Sequence, residues 1–519
     1  MNSLRRFFYH PFCFAIYPVV ALLAINIREV RAWVAIIPLV AALTGAAVIL
    51  GLLRLLLKDW HRAALVTSFF LLLFFTYGHV YRLFENTGIL GVMIGRHWIL
   101  IPVYLILWLA GLWLIFKVLK NLADANLILN VFGITLVVIP LLQIGLFAFE
   151  VVAEPYGRPE ARAYAQQLKL PQSQPPDIYY IILDMYTRGD LLQSDFNYDN
   201  APFTDQLKKM GFYVADCSQS NYPYTRLSLS SSLNLNYLPD FLPQIANGKD
   251  FAILMPFIKQ SLTRKLLEDI GYKTVAFETG YIFTELDDAS RYISQPGSNI
   301  LSLQLQPFTS MMMRMTALKI LDDALPDLAV GPTGSGFPLS EEYHRELFVL
   351  DQMSSLPAIP GPKFVFVHIT IPHPPFIFAP NGDILKDPGY WSKDSQPIND
   401  EYFKKGYVSQ VQFINNRMLP ILQSLISHSP NPPVIIVQGD HGVRDQNRLK
   451  NLSAFYLPGS GKEKLYPNIT PVNTFRIVFN TYFGTNYSIL PDKSYITPNE
   501  KQKIALGSFI ESTPNCLAK

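Results

Sequence analysis

The chain has 519 residues, of which 50% are hydrophobic and 16% are charged, and its mean hydropathy is +0.20. Those values exclude a purely soluble protein of ordinary composition and predict a membrane portion. The formal net charge of +3 does not indicate a nucleic-acid-binding surface. Three cysteines are too few for a disulfide framework or a cysteine zinc cluster, and a single bond between Cys217 and Cys516 stays open.

Five long apolar stretches occupy the first 150 residues of the chain. They cover residues 11–27, 32–53, 63–81, 98–116 and 125–149. Each is near or above the ~18–20 residues that a helix needs to cross a bilayer. We therefore predict a five-span, integral membrane domain over residues 1–150, with four or six spans as the alternatives.

The basic residues between these stretches indicate an orientation. With the N-terminus inside, the inner segments hold Arg5, Arg6, Arg54, Lys58, Arg62, Lys117 and Lys120, and the outer loops hold Arg28, Arg31, Arg82 and Arg96. An excess of Lys and Arg is typical of the cytoplasmic side. Five spans then place everything after residue 150 outside the cytoplasm, attached to the cell (inner or plasma) membrane.

The second part of the chain has the pattern of an α/β domain. Residues 151–176 predict an interfacial helix and a Pro-rich linker, and residues 177–519 alternate between strand-like and helix-like segments. Such alternation predicts a mainly parallel sheet. In sheets of this kind, ligands bind beyond the carboxyl ends of the strands.

Polar residues follow three of the predicted strands. Asp184 ends "IILDMY", His368 and His373 lie in "FVFVHITIPHPPF", and Asp440 and His441 follow "VIIVQG". Singly, each has an ordinary explanation, because Asp often caps a turn and His often lies in a core. Together, carboxylates and imidazoles suit Zn²⁺ or Mn²⁺.

The Asp-His pair stands between two glycines, Gly439 and Gly442. Glycine tolerates backbone conformations that other residues avoid. We expect the two glycines to bend the backbone so that both side chains face one ion.

A hydroxyl-rich segment, "SNYPYTRLSLSSSLN", covers residues 220–234. Thr225 stands where a helix could begin, next to free N–H groups and the positive end of the helix dipole. A hydroxyl is a poor nucleophile unless a base or a metal activates it. The alternative is a polar loop in which Thr225 only caps a helix.

The order of these motifs, with "NYPYT", "PHPPF" and "DHG" after the first strand, resembles the alkaline phosphatase/sulfatase superfamily. The layout is more closely similar to membrane phosphoglycerol and phosphoethanolamine transferases, the lipoteichoic acid synthase-like group. The resemblance implies that Asp184, Thr225, Asp440 and His441 bind one divalent metal, Mn²⁺ or Zn²⁺, and that Thr225 is the nucleophile. A second metal stays open.

The resemblance also implies roles for residues around the metal. His373 matches a histidine that contacts the transferred phosphate, and His368 is the weaker candidate because strand alternation could turn it into the core. Arg226 and Arg444 could add charge to a phosphate pocket, although surface arginines are an equal alternative. Asn221 and Tyr222 are expected to shape the substrate pocket.

The expected activity is transfer of a phospholipid head group, phosphoethanolamine or phosphoglycerol, through a phospho-threonine to a cell-envelope glycan, polymer or lipid. A phosphodiesterase- or sulfatase-type hydrolase and a non-enzymatic membrane scaffold are the alternatives. Sulfatases of the superfamily carry a C/S-x-P-x-R motif, but Cys217 is followed by "SQSNYP" with no suitably placed Arg. That departure argues against a sulfatase.

Overall fold

The computed structural model describes residues 7–27, 30, 32–84, 87–89, 92–153, 163–169, 175–242, 251–295, 307–324, 337–387, 390, 400–443, 448–496 and 510–512. The chain divides into two compact units. We call them the membrane unit, Met1–Tyr156 with Asn299–Ser340, and the α/β unit, Gly157–Ser298 with Glu341–Lys519.

The secondary structure is as follows. The helices are α1 (His10–Asn26), α2 (Ile36–Leu57), α3 (Trp60–Phe84), α4 (His97–Trp113), α5 (Leu122–Ala153), α6 (Gly189–Phe196), α7 (Ala201–Lys209), α8 (Thr225–Ser232), α9 (Leu238–Phe241), α10 (Met255–Lys259), α11 (Leu262–Asp269), α12 (Pro307–Met315), α13 (Lys319–Ala324), α14 (Phe337–Met353), α15 (Glu401–His428) and α16 (Thr474–Tyr482). The strands are β1 (Gly88–Ile89), β2 (Val92–Met93), β3 (Ile178–Leu183), β4 (Tyr213–Val214), β5 (Lys273–Phe277), β6 (Arg291–Ile293), β7 (Lys363–Ile369), β8 (Val434–Gly439), β9 (Ser453–Tyr456), β10 (Ser494–Ile496) and β11 (Ile510–Ser512).

Within the described residues, four helical segments are long and apolar enough to cross a membrane. They are Ala32–Leu57, Trp60–Phe84, His97–Val118 and Leu122–Ala148. The first predicted span is also a helix, α1, but it has only 17 residues. At 1.5 Å per residue it is about 26 Å long, slightly less than the ~30 Å hydrocarbon core of a bilayer.

The outer faces of these helices are apolar. Leu55 and Leu56 at the end of α2 are 74% and 77% exposed, and Leu142 in α5 is 61% exposed. A soluble helix would turn such side chains inward and present polar ones to water. The pattern is that of helices surrounded by lipid.

A buried polar cluster connects α1, α3 and α5. His10 Nδ1 lies 2.6 Å from Ser68 Oγ, and His10 Nε2 lies 2.8 Å from Asn126 Oδ1. Asn130 Oδ1 accepts the main-chain N–H groups of Tyr9 and His10, so it caps the start of α1. These contacts place the starts of the three helices at one end of the unit, and therefore α1, α3 and α5 run in the same direction.

An excursion of the later chain, Asn299–Ser340, belongs to the membrane unit. Phe308 and Met312 of α12 lie in one buried cluster with Val19 and Leu22 of α1. Ala317 N–H donates to the carbonyl of Phe74 in α3 at 2.8 Å. The sequence prediction of one uninterrupted domain over 177–519 did not include this excursion.

Gly78 is the point of closest approach between α3 and the excursion. A Cβ at Gly78 would lie 2.3 Å from the carbonyl oxygen of Arg314. We expect Gly78→Ala to lower the free energy of unfolding of the detergent-solubilised chain by about 1–3 kcal/mol, because backbone atoms must move apart. Gly45→Ala is the matched control, since nothing lies within 4 Å of its added Cβ. Equal stability of the two variants in denaturant titrations would contradict this packing.

The α/β unit is built on a seven-stranded sheet of order β4-β9-β8-β3-β7-β5-β6. The neighbours β8, β3, β7, β5 and β6 run parallel to one another. At one edge, β9 pairs antiparallel with both β8 and β4. The predicted α/β fold with a mainly parallel sheet is confirmed.

The three central strands are buried along their whole length. "IYYIIL" (β3), "KFVFVHI" (β7) and "VIIVQG" (β8) have no exposed position, as expected for parallel strands covered on both faces. β3 pairs with β7 on one side and with β8 on the other. The carboxyl ends of all three strands are therefore adjacent, which is where the predicted ligands stand.

Candidate metal and nucleophile site

Asp440 directly follows β8, and two main-chain hydrogen bonds orient its carboxylate. Its Oδ1 accepts hydrogen bonds from the main-chain N–H groups of Met185 and His441, each at 2.9 Å. Its Oδ2 is buried and has no hydrogen-bond partner among the described residues. A buried carboxylate oxygen without a partner is costly unless a cation binds it.

Asp184 presents a second such oxygen. It directly follows β3, and its buried Oδ1 also lacks a hydrogen-bond partner within the described chain. Burial would raise the pKa of Asp184, but the positive charge of His373, followed by the contact with His368, outweighs burial and lowers it. Asp184 is therefore ionised at neutral pH and available as a ligand.

His441 presents a ring nitrogen to the same point. Its Nδ1 lies 2.8 Å from the carbonyl oxygen of Gly442. Because a carbonyl can only accept, Nδ1 carries the proton and Nε2 carries a lone pair. Burial lowers the pKa of His441, so that the ring is neutral near pH 7.

Thr225 is the first residue of α8, as its sequence position predicted. It is buried, and its Oγ1 lies 3.5 Å from His441 Nε2. The hydroxyl therefore lies at the start of a helix and beside the Asp-His cluster. The capping alternative is disfavoured, because Tyr224 occupies the N-cap position and no side chain caps this helix.

These four groups fit a metal ion. His441 Nε2 lies 3.5 Å from Thr225 Oγ1, 3.6 Å from Asp440 Oδ2 and 3.7 Å from Asp184 Oδ1. Ligands in a tetrahedron around Zn²⁺ lie about 3.3–3.6 Å from one another, given bonds of about 2.0–2.2 Å. The ligand atoms of Asp184, Asp440 and His441 all lie within 4.8 Å of one another. The set of three oxygens and one nitrogen suits Zn²⁺ or Mn²⁺.

His368 lies inside this cluster. Its Nε2 is 3.4 Å from Asp184 Oδ2, and its Nδ1 is 2.9 Å from Thr284 Oγ1. Burial acts to lower the pKa of His368, but the adjacent Asp184 carboxylate outweighs it and raises the pKa. The concern that strand alternation would turn this side chain away from the site does not hold.

His373 follows β7 in the "PHPPF" segment and is half-buried. Its Nδ1 lies 2.6 Å from the carbonyl oxygen of Pro374. The effect of its charge on the pKa of Asp184 places it near the cluster. Its predicted contact with phosphate stays a prediction.

Any side chain at Gly439 would clash with the neighbouring backbone, because a Cβ there would lie 2.3 Å from the carbonyl oxygen of Tyr186. Neither Gly439 nor Gly442 has a positive φ. Neither glycine therefore uses a left-handed conformation, and the expectation that the two glycines bend the backbone toward one ion stays a prediction. Gly439 also lets the end of β8 approach the segment after β3, which brings Asp440 beside Asp184.

The other predicted substrate-binding residues have diverse surroundings. Asn221 and Tyr222 are fully buried: the Asn221 amide bonds to Lys493 O and Val472 N, and Tyr222 OH accepts Leu238 N–H. Substrate binding by these two stays a prediction, and the contacts give each a structural role. Arg226 lies 5.6 Å from the ring centre of Phe283. Arg444 lies outside the described residues.

Two residues near the site carry no recognisable motif. Thr284 orients His368, although 84 residues separate them in sequence. Arg448 lies beside Pro223 and Tyr224, directly before Thr225. The only sequence signal for Arg448 is its short distance after "DHG".

No protein-family model and no curated protein matches the chain. Solved structures do match. The match to the integral membrane lipooligosaccharide phosphoethanolamine transferase A from Neisseria meningitidis covers 93% of this chain and 95% of the transferase chain. The two chains share 10% sequence identity, and the TM-score is 0.38. The periplasmic domain of the phosphoethanolamine transferase EptC from Campylobacter jejuni covers 61% and 92%, with 10% identity and a TM-score of 0.38.

A phosphonate monoester hydrolase of Agrobacterium radiobacter also matches, covering 63% of this chain and 81% of its own, with 12% identity and a TM-score of 0.37. Both transferases and hydrolases are thus among the similar structures. At such identities and TM-scores the likeness carries no conclusion about activity, which is inferred below from the chain's own residues.

Proposed function

We propose that this chain is a metal-dependent transferase of the cell membrane. It moves the head group of a phospholipid, phosphoethanolamine or phosphoglycerol, to a hydroxyl of a cell-envelope glycan, polymer or lipid. The single observation that carries the proposal is the convergence of Thr225 Oγ1 with Asp184, Asp440 and His441 at ligand spacing. An ordinary helix cap would need neither two unpaired buried carboxylate oxygens nor an imidazole lone pair.

In this proposal, Asp184, Asp440, His441 and the Thr225 hydroxyl hold one Zn²⁺ or Mn²⁺ ion. When bound, the ion lowers the pKa of the coordinated hydroxyl and offsets negative charge on the phosphoryl oxygens. Asp440 keeps its orientation through two main-chain N–H groups, and His368 keeps Asp184 in place. The chain thus supplies a preorganised set of ligands.

The first step forms a covalent intermediate. Thr225 Oγ1 forms a bond to phosphorus as the bond from phosphorus to the diacylglycerol oxygen breaks. The hydroxyl proton of Thr225 passes to solvent water, and the diacylglycerol oxygen takes up a proton, for which His373 is the proposed donor. Diacylglycerol and a phospho-head-group threonine result.

The second step regenerates the chain. The acceptor hydroxyl gives its proton to His373, which the first step left deprotonated, and its oxygen bonds to phosphorus while the bond from phosphorus to Thr225 Oγ1 breaks. Thr225 Oγ1 then regains a proton from solvent water. With water as the acceptor the same steps give hydrolysis, so this alternative differs only in what enters the site.

The membrane unit gives this reaction its setting. We infer that α1 crosses the bilayer together with the four longer helices, because its start lies at the same end as the starts of α3 and α5. With the N-terminus inside, five crossings place the α/β unit outside the cytoplasm, where lipid donors of the outer leaflet and envelope acceptors meet.

The test uses the purified full chain, loaded with Zn²⁺ or Mn²⁺, and phosphatidylethanolamine or phosphatidylglycerol labelled in the head group. We expect release of diacylglycerol and a head-group adduct on the peptide that contains Thr225, detected by mass spectrometry. An added acceptor alcohol should then remove the label from the protein.

The alternatives predict other results. Quantitative release of free head group in the presence of acceptor would indicate a hydrolase. Absence of bound metal, adduct and diacylglycerol would favour a non-enzymatic scaffold. A sulfatase mechanism through Cys217 is disfavoured further, because this cysteine is disulfide-bonded; its sequence-allowed partner, Cys516, lies outside the described residues.

A further inference from the structure

Arg448 joins the two segments that carry the nucleophile and the Asp-His pair. Its Nε donates a hydrogen bond to the carbonyl of Pro223, and its guanidinium carbon lies 4.4 Å from the ring centre of Tyr224. Its own carbonyl accepts the N–H of Gly442 at 2.6 Å. Thr225 directly follows Tyr224, so the guanidinium is anchored one residue from the nucleophile.

The anchoring uses only part of the guanidinium. Of the five N–H groups of an arginine, the one on Nε is committed to Pro223. Within the part of the chain that the structure describes, neither Nη group has a hydrogen-bond or ion-pair partner. The side chain is half-buried, so a cation with four available N–H groups lies at the edge of the site.

Stacking on Tyr224 and the bond to Pro223 fix the plane of the guanidinium. A fixed fork of N–H donors matches two oxygens of a phosphate group better than a flexible ammonium does.

We propose that Arg448 binds the non-bridging oxygens of the transferred phosphoryl group through its two Nη groups. This inference rests on the proposed function for the nature of the ligand, a phosphate ester. It gives Arg448 the role that the sequence suggested for Arg226 and Arg444.

The test measures binding of inorganic phosphate to the zinc-loaded full chain by isothermal titration calorimetry. We expect Arg448→Gln to weaken phosphate binding about 10- to 100-fold, as for loss of charge-assisted hydrogen bonds. Arg448→Lys should recover only part of the affinity, because it restores charge without the fork. Arg417→Gln is the control, since it removes the same charge from a surface ion pair with Asp351.

Phosphate affinity equal to wild type in Arg448→Gln, with loss of the Thr225 adduct, would overturn the proposal and leave Arg448 as a brace of the nucleophile loop. The zinc content of each variant shows whether its metal site is intact. If Arg448→Gln loses zinc, the phosphate affinity of Arg448→Lys is the deciding measurement. The readout is independent of the proposed transfer reaction. Failure to form a Thr225 adduct in the wild-type chain would contradict the proposed function while the effect of Arg448 on phosphate binding could still be measured.

Discussion

Thr225→Ala is expected to abolish the covalent head-group adduct and to lower phospholipid turnover by about 10³- to 10⁶-fold, the range for loss of a nucleophile. The hydroxyl oxygen of Thr225 lies 3.5 Å from His441 Nε2, inside the ligand cluster. Alanine removes it without adding bulk to a buried position. The fold should therefore survive the change, and the loss should be one of chemistry.

Thr225→Ser separates the hydroxyl from the methyl group. Serine keeps Oγ, so we expect the adduct to form on the introduced serine and turnover to fall far less than in the alanine variant. Thr204→Ala serves as the control, because it removes a hydroxyl that only contacts main-chain carbonyls in α7. Turnover of Thr225→Ala within tenfold of wild type would show that another group attacks phosphorus.

The positions of the proposed metal ligands in the fold could be predicted from sequence because of a general property of parallel sheets. Asp184 and Asp440 directly follow apolar strands, and such strands end at a common edge when they are neighbours. The pairing of β3 with β8 meets that condition. Thr225 could be placed at a helix start, but its distance from His441 depends on packing over 216 residues.

His368 shows where the sequence pattern loses its information. Alternation along a strand tells the two faces apart only when one face is exposed. All seven positions of β7 are buried, so the pattern could not say which face of the sheet His368 occupies. The contact with Thr284, from a short 3₁₀ helix, is equally invisible in local sequence.

The excursion over Asn299–Ser340 was missed for a similar reason. α12 is a short amphipathic segment, "PFTSMMMRM", of a kind that also occurs on the surface of soluble domains. What assigns it to the membrane unit is the packing of Phe308 and Met312 against α1 and the close approach at Gly78. Such long-range contacts leave no periodic signal in one sequence.

Protons should compete only weakly with the metal at this site. Burial lowers the pKa of His441 below its usual 6.5, and the pKa of Asp184 lies below its usual 3.8. A histidine with the usual pKa would be only about one-quarter neutral at pH 6. The affinity of the site for the metal would then be about fourfold lower than with a fully neutral ring. A lowered pKa keeps more of the ring neutral as the pH falls. The loss in metal affinity of Thr225→Ala between pH 8 and pH 6 should therefore be less than fourfold.

Asp440→Asn is expected to weaken Zn²⁺ or Mn²⁺ binding by at least about 100-fold, and Asp184→Asn should act similarly. The amide keeps an oxygen that can accept the N–H groups of Met185 and His441, so the loop should keep its shape. It replaces the unpaired Oδ2 with an NH₂ group, which cannot bind a cation. Chelator competition and metal content measure the loss, with Asp351→Asn on the surface as the control.

The stability of the metal-free chain distinguishes a ligand cluster from a structural ion-pair network. Without metal, the Oδ2 of Asp440 is a buried carboxylate oxygen with no hydrogen-bond partner among the described residues. Replacing it in Asp440→Asn should therefore leave the melting temperature of the apo chain unchanged or higher, whereas breaking a buried ion pair would lower it by several degrees. Added metal should raise the melting temperature of the wild type and not that of Asp440→Asn. A fall in the apo melting temperature of Asp440→Asn, with the metal effect retained, would mean that Asp440 stabilises the fold and that the cation binds elsewhere.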